Sequence, residues 1–361
     1  MRVFQNFGLY PAYMHRLNKL AASANAFSER RQVFLSDSFG ACHLLKTVVD
    51  GSSDAFFTTG DDPITQRFWA QEHGLPASTA LEQILLSQIE DHRTEIFYNL
   101  DPIRYGNEFV RKLPGTVKRS IAWRAAPSGN VDLGAYDLLV CNFPTIIESY
   151  RGRGWRAEYM APSHDLAMDS YAANSSRPID ILFVGGYSRH HSRRAEILEA
   201  VSELRKDFRV VYHLDRSRLT RLAESPLGWL LPLNDHRRPK GIRAVSRSPV
   251  FGRDLYRGIS QAKIVLNGAV DMAGSDRGNM RCWEALGCGA LMISDAGNYP
   301  NGMIDGTTIV TYGNAQSAVA SIRTALADQT KLREIAAAGN MMIKSRYSKE
   351  AQWESFTQLC R

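Results

Sequence analysis

The chain has 361 residues, 44% hydrophobic and 22% charged, the proportions of a soluble globular protein, and a length that exceeds one ordinary core, so two domains are expected. No apolar run reaches the ~18 residues of a membrane-spanning helix, and the five scattered cysteines (Cys42, Cys141, Cys282, Cys288, Cys360) lack metal-ligand spacing and fit a reducing cytoplasm. The net charge is +7, from 44 Lys and Arg against 37 Asp and Glu, with much of the excess between residues 189 and 257, in R-H-H-S-R-R, R-S-R-L-T-R and H-R-R-P-K-G-I-R. Such clusters suit a diphosphate, an anionic membrane or plain solvation. Nucleic acid is disfavoured, because no reading motif and no basic–aromatic interleaving accompanies them.

The N-terminus, M-R-V-F-Q-N-F-G-L-Y, lacks a basic region leading into an apolar stretch and a cleavage site, and reads as a first strand and helix rather than a signal peptide. Short apolar runs then alternate with helical patterns to the end of the chain, which predicts an α/β fold with mostly parallel sheets. Strands are expected at 2–5, 32–35, 55–58, 95–98, 119–123, 137–141 and 157–160. Between them, 80–92 carries Leu81, Ile84, Leu85, Gln88 and Ile89 at helical period, and 144–151 opens on a proline suited to a first helical turn. The polar, proline-framed stretch at 164–178 reads as a linker.

A second half begins with a buried strand at 179–184 that ends in Gly185-Gly186. A helix at 192–206 and a strand at 208–213 follow, and 216–250, rich in Pro, Arg and Ser, has no assigned element. Next come a helix at 253–261, a strand at 263–267, a helix at 279–286, a strand at 290–294, helices at 314–328 and 331–344, and an amphipathic segment at 349–359. Two doubly wound halves would place a ligand at the carboxyl ends of the strands, in a cleft between them.

The stretch A-G-S-D-R-G-N-M-R-C-W-E-A-L-G-C-G-A-L-M-I-S-D, residues 273–295, reads as a glycine-punctuated loop, a short helix and a buried strand. A helix N-terminus collects anions on its backbone N–H groups, and Glu284, further into the same helix, is placed to take sugar hydroxyls. The pair suggests a nucleotide-sugar site. Alternatively, Asp276 only caps the helix and Glu284 is a surface residue of a packed helix. The Gly185-Gly186 turn lets the backbone approach a ligand, and Arg189 and Arg193 beyond it match phosphate oxygens. Neither GxGxxG nor a Walker lysine is present.

The segment 276–294 resembles the donor motif of GT-B glycosyltransferases of the group-1 type. The resemblance implies two Rossmann-like domains, in which Glu284 holds the ribose, Asn279 and Met280 offer backbone to the diphosphate, and Asp276 contacts the donor sugar. Asp276 stands where the family has glutamate, and Arg277-Gly278-Asn279 replaces Gly-Phe-Gly. The segments Q-A-K-I-V-L-N (261–267), N-M-R-C-W-E-A (279–285), the C-terminal R-Y-S-K-E-A-Q-W and Y-R-G-R-G-W-R-A-E-Y-M-A-P-S (150–163) are similar to the spore-maturation-protein branch. The donor set also includes Gly278, from the loop of the group-1 motif, and Lys263 and Arg281, from the segments of this likeness.

On that plan residues 1–163 bind the acceptor, 179–345 bind the donor, and 346–361 form a helix packed back on the first domain. Acceptor-side candidates are Gly8 and Tyr10, after the first strand. The base candidates are Asp61, His43 and Asp62, each qualifying by residue type alone. No DxD triplet is present, so no metal and no cofactor is expected beyond the nucleoside-diphosphate sugar, which is a substrate. The acceptor would be a glycan, a lipid-linked molecule or a protein. The expected setting is a bacterial cytoplasm, with peripheral contact at the inner membrane face and a role in polysaccharide biosynthesis. The rival readings are a sugar-nucleotide epimerase on the same fold and a non-catalytic nucleotide-binding or scaffold protein.

Overall fold

The computed structural model describes residues 1–189, 191–268 and 273–361, with Trp229 described by its backbone alone. His190 of the first basic cluster lies outside the described residues. The chain divides into two compact units, Met1–Ser163 with Tyr347–Arg361, and His164–Arg346.

In the first unit the strands are β1 (Val3–Asn6), β2 (Ala55–Thr58), β3 (Ile96–Asn99), β4 (Arg119–Trp123), β5 (Leu138–Cys141) and β6 (Ala157–Tyr159). They form one sheet in the order β2-β1-β3-β4-β5-β6, with every neighbouring pair parallel. Helices return the chain between most of the strands, with the connection from β4 to β5 lacking one, and the strands read as short, nearly continuous apolar runs. Phe4, Phe97, Ile121 and Val140 are fully buried.

One expected strand is a helix. Residues 32–35 lie inside the helix Phe27–Asp37, whose buried positions Phe27, Arg30, Phe34 and Asp37 recur at helical spacing. The apolar run Val-Phe-Leu is too short to reveal its period, and its neighbours Ser-Glu-Arg-Arg decide the matter.

The C-terminal helix Lys349–Leu359 belongs to the first unit. Ser348 caps it, Phe356 is fully buried with its ring 5.1 Å from that of Tyr98, and Lys349 gives its ammonium to the carbonyls of Ala41 and Leu44.

In the second unit the strands are β7 (Ile179–Gly186), β8 (Val210–Asp215), β9 (Ser246–Arg247), β10 (Ala262–Leu266), β11 (Leu291–Asp295) and β12 (Val310–Tyr312). Their order is β12-β11-β10-β7-β8-β9, again wholly parallel. Counted within the unit this is the 3-2-1-4-5-6 order of dinucleotide-binding folds. β9 and β12 carry too few residues to show a period in sequence.

The segment 164–178 is bonded into this unit rather than being free linker. It contains the helix Met168–Ala172. Arg177 donates to the carbonyls of Ala262 (2.9 Å) and Cys288 (2.9 Å), and His164 Nε2 lies 2.8 Å from Asp169 Oδ1. Among the described residues no helix is long and apolar enough to cross a membrane.

Candidate functional site

A doubly wound parallel sheet leaves a crevice beyond the carboxyl ends of its strands where the strand order reverses. In the second unit that point lies between β7 and β10. β7 ends in Gly185-Gly186, Asn267 follows β10, and Asp295 ends β11. Arg194 occupies the space beside Gly185, where a Cβ would come within 2.8 Å of its Nη2. Its guanidinium lies 5.2 Å from the centroid of the Phe183 ring. Burial pushes the pKa of this arginine down, partly opposed by the charge of Asp295.

Arg194 is absent from the sequence-based set. The signal for it is helical spacing, since it shares the inner face of the helix Ser192–Ser202 with buried Ile197, Leu198 and Val201. The arginines chosen from sequence point elsewhere. Arg189 bonds the carbonyls of Asn234 and Arg237, and Arg193 bonds that of Gly313.

The glycine loop is held by a buried ion pair. Arg277 Nε lies 2.6 Å from Asp295 Oδ2, with both side chains under a tenth exposed. Arg277 Nη1 also donates to the carbonyls of Gly274 (2.9 Å) and Asp276 (3.0 Å). The residue that departs from the family pattern therefore clamps the loop to the end of β11. Asp276 is buried and its backbone bridges to Asn298. Gly278 has φ +131°, a conformation that favours glycine.

Asn279 then starts the helix Met280–Gly287 without capping it. Its amide turns instead to Asn267 Oδ1, 3.1 Å away, so the side chain of Asn279 does not cover the N–H groups of the first turn. Glu284, further along this helix, is 5% exposed. Burial pushes its pKa up, and Arg281 opposes the shift from 2.5 Å.

Lys263 does not join this group, which corrects its assignment from sequence. It stands at the amino end of β10 and gives Nζ to Asp180 Oδ1 at 2.6 Å. Asp180 lies near the amino end of β7, and in a parallel sheet those ends are at the edge opposite the crevice.

In the first unit the strand order reverses between β1 and β3, and their last residues join there. Asn6 Nδ2 donates to Asn99 Oδ1 at 2.9 Å, and Asn6 Oδ1 accepts from the Gly60 N–H at 2.9 Å. This network holds the turn that carries Asp61 and Asp62, whose roles differ. Asp62 caps the helix Pro63–Glu72 and pairs with buried Arg30 at 2.7 Å. Asp61 Oδ2 accepts from the Leu9 N–H at 2.9 Å, while its buried Oδ1 has no hydrogen-bond partner. Burial, with a smaller contribution from the Asp101 charge, pushes the Asp61 pKa up to about 6.

Gly8 is packed against Asp101, within 2.8 Å of where its own Cβ would stand. Tyr10 is exposed beside Phe39. His43 is buried, its ring 4.5 Å from that of Trp123, and burial with the Lys349 charge pushes its pKa down to about 3. An imidazole so weakly basic is a poor general base at neutral pH, which leaves Asp61 as the base candidate. Among the described residues no group of His, Cys, Asp and Glu is arranged to hold a metal.

Residues 189–358 match the family model described as glycosyl transferase-like. No curated protein matches the chain. The structure is similar to HepE of Anabaena solved with UDP and glucose, with TM-score 0.59 and 11% identity over 99% of both chains. It is also similar to an alpha-glucosyltransferase solved with UDP-glucose and DNA containing an abasic site, with TM-score 0.60 and 9% identity over 99% of this chain and 98% of that one. A glycosyltransferase from Rickettsia africae gives TM-score 0.52 and 8% identity over 99% and 97%. At such identities the likeness is one of fold, the two-domain α/β architecture of GT-B glycosyltransferases.

Replacing Arg277 by alanine strands the Asp295 carboxylate in the interior, which is expected to cost about 3–5 kcal/mol in urea unfolding. A loss below about 1 kcal/mol, the value of an exposed pair, would show that the pair does not anchor the loop.

Proposed function

We propose that the protein is a glycosyltransferase that moves a sugar from a nucleoside-diphosphate sugar to an acceptor hydroxyl, with the donor on the second unit and the acceptor on the first. The observation that carries this reading is one cluster at the carboxyl edge of the second sheet. It combines a helix start that Asn279 does not cap, the Arg194 guanidinium and the buried Glu284–Arg281 pair. A diphosphate needs N–H donors and guanidinium groups, and a ribose needs a carboxylate. The neighbour HepE has been solved with UDP-glucose, a donor of this class. The sequence likeness to the spore-maturation-protein branch supports the same reading.

Transfer develops positive charge at the anomeric carbon and negative charge on the departing diphosphate. The amides of Met280 and its neighbours, together with Arg194, stabilise the leaving group from fixed positions. Without ligand, Arg281 neutralises Glu284. Ribose hydroxyls that donate to the carboxylate replace part of that interaction. On the acceptor side Asp61 takes the hydroxyl proton through its unpartnered Oδ1. Since protein cations and helix amides already balance the diphosphate, transfer is proposed to need no divalent ion. The acceptor classes are a glycan, a lipid-linked molecule or a protein, in the cytoplasm or at the inner face of the membrane.

Measurements on the unaltered chain and on two variants test this reading. Glu284→Ala should weaken nucleoside-diphosphate binding by roughly 10- to 100-fold, the value of hydrogen bonds to a charged group, in calorimetry with UDP, GDP and dTDP. No heat from any of them at millimolar concentration with the unaltered chain would sink the enzyme reading. Asp61→Asn should lower kcat by about 10²–10⁴-fold and leave nucleotide affinity unchanged.

The charged carboxylate is the active form of the base, so kcat/KM of the unaltered enzyme should fall as pH drops through about 6 and be level above it. A profile flat through that range would remove Asp61 from the role. Finally, turnover should survive EDTA, and loss restored by manganese would overturn the metal-free proposal.

A further inference from the structure

We infer that residues 216–248 form a docking surface for an anionic lipid bilayer. The inference rests on the transferase reading only for its purpose, access to a membrane-borne acceptor. The segment holds eight Lys and Arg against two Asp and Glu, a net +6 where the whole chain carries +7.

The same stretch presents an apolar surface. Among the described residues, exposed large apolar side chains otherwise stand mostly alone, but Leu219, Leu222, Leu227, Leu230 and Leu231 are all exposed here, Leu227 at 71% and Leu230 at 84%. Such crowding marks an interaction site rather than ordinary surface.

The pattern is amphipathic. In the helix Arg218–Ala223, Leu219 and Leu222 form one stripe, with Arg218 and Arg221 beside it. In the 3₁₀ turn Leu227–Leu230, the first and last leucines eclipse each other and share a side.

The segment is internally braced. Arg237 donates to the carbonyls of Ala223 (3.0 Å) and Gly228 (3.0 Å), tying helix to turn. Arg238 forks onto both oxygens of Glu224 at 2.7 Å, which offsets one of the two acids. The other, Asp235, is fully exposed and 4.0 Å from Arg189. The leucines are thus presented on a tied scaffold.

Next to them is a cavity of about 380 Å³ lined by Arg216, Arg238, Arg243, Arg247, Ser246 and Ser248, together with the Glu224 already held by Arg238. The guanidinium groups of Arg216, Arg243 and Arg247 in this lining suit the phosphate of a lipid headgroup. Leucines that enter the interface beside arginines that meet headgroups make an interfacial anchor. Nucleic acid would answer to the charge but leave the leucines unused.

The test is co-sedimentation of the full chain with vesicles of phosphatidylcholine alone and of phosphatidylcholine mixed with phosphatidylglycerol. Binding is expected only to the mixed vesicles. The double variants Leu227→Ser/Leu230→Ser and Arg218→Glu/Arg221→Glu should each weaken it by about tenfold or more, while thermal midpoint and nucleotide binding stay at the parent values.

A parent chain that stays in the supernatant would overturn the inference. So would a leucine variant that sediments like the parent, or tighter binding to homopolymeric RNA than to vesicles. Vesicle binding without any nucleotide binding would sink the transferase reading and leave the docking surface standing.

Discussion

Both sheets are wholly parallel, and a parallel sheet built by helical crossovers in both directions must reverse its order once. At the reversal two neighbouring strands send their chains to opposite faces, and nothing covers the gap between their carboxyl ends. Almost every group assigned a role here lies at one of two such gaps. In the second unit these are Gly185, Arg194, Asn267 and the helix that carries Glu284. In the first they are Asn6, Asn99 and the turn that carries Asp61. The same constraint removes Lys263, which is at the right strand but at its other end.

Each gap is fixed by a buried ion pair that is structural rather than catalytic. Arg277 with Asp295 holds the glycine loop against β11, and Arg30 with Asp62 holds the start of the helix after β2. Buried pairs of this kind contribute little net stability and a great deal of position, since either partner alone would be a stranded charge. Their presence leaves the neighbouring group unoccupied. Asp62 takes the cap and the arginine, so Asp61 keeps an oxygen without a partner. Beside the Arg277–Asp295 pair, Asn279 turns its amide to Asn267 rather than capping its own helix.

The insertion 216–248 follows a different rule. It lies after β8 and runs into β9, away from the reversal between β7 and β10. Its arginines are divided between bracing the segment and facing outward, with Arg237 and Arg238 turned in and Arg218 and Arg221 exposed. The acidic residues of the second unit fall largely elsewhere, so the positive charge of the chain is concentrated beside exposed leucines rather than spread over the surface.

Much of this was legible in the sequence. Strands buried on both faces announce themselves as short apolar runs between helical patterns, and β2 and β4 fall where expected. The loop-then-helix at 273–287 was legible because glycines punctuate the loop and apolar residues at helical spacing follow it. Period failed where runs were short, as in the helix Phe27–Asp37 and in β9 and β12. Composition failed among like residues. In R-H-H-S-R-R the sequence marks a basic cluster, but only the turn of the helix Ser192–Ser202 decides that Arg194 faces inward while Arg189 and Arg193 bond backbone carbonyls. Likewise Asp61 and Asp62 are equivalent as letters. The sequence by itself determined the α/β class and the loop-then-helix at 273–287, because these follow from local period and from residue chemistry. The tertiary structure alone decided which arginine lies beside Gly185 and which aspartate keeps a buried oxygen without a partner. That choice depends on partners distant in the chain, such as Asp295 for Arg277 and Arg30 for Asp62, and no local pattern encodes them.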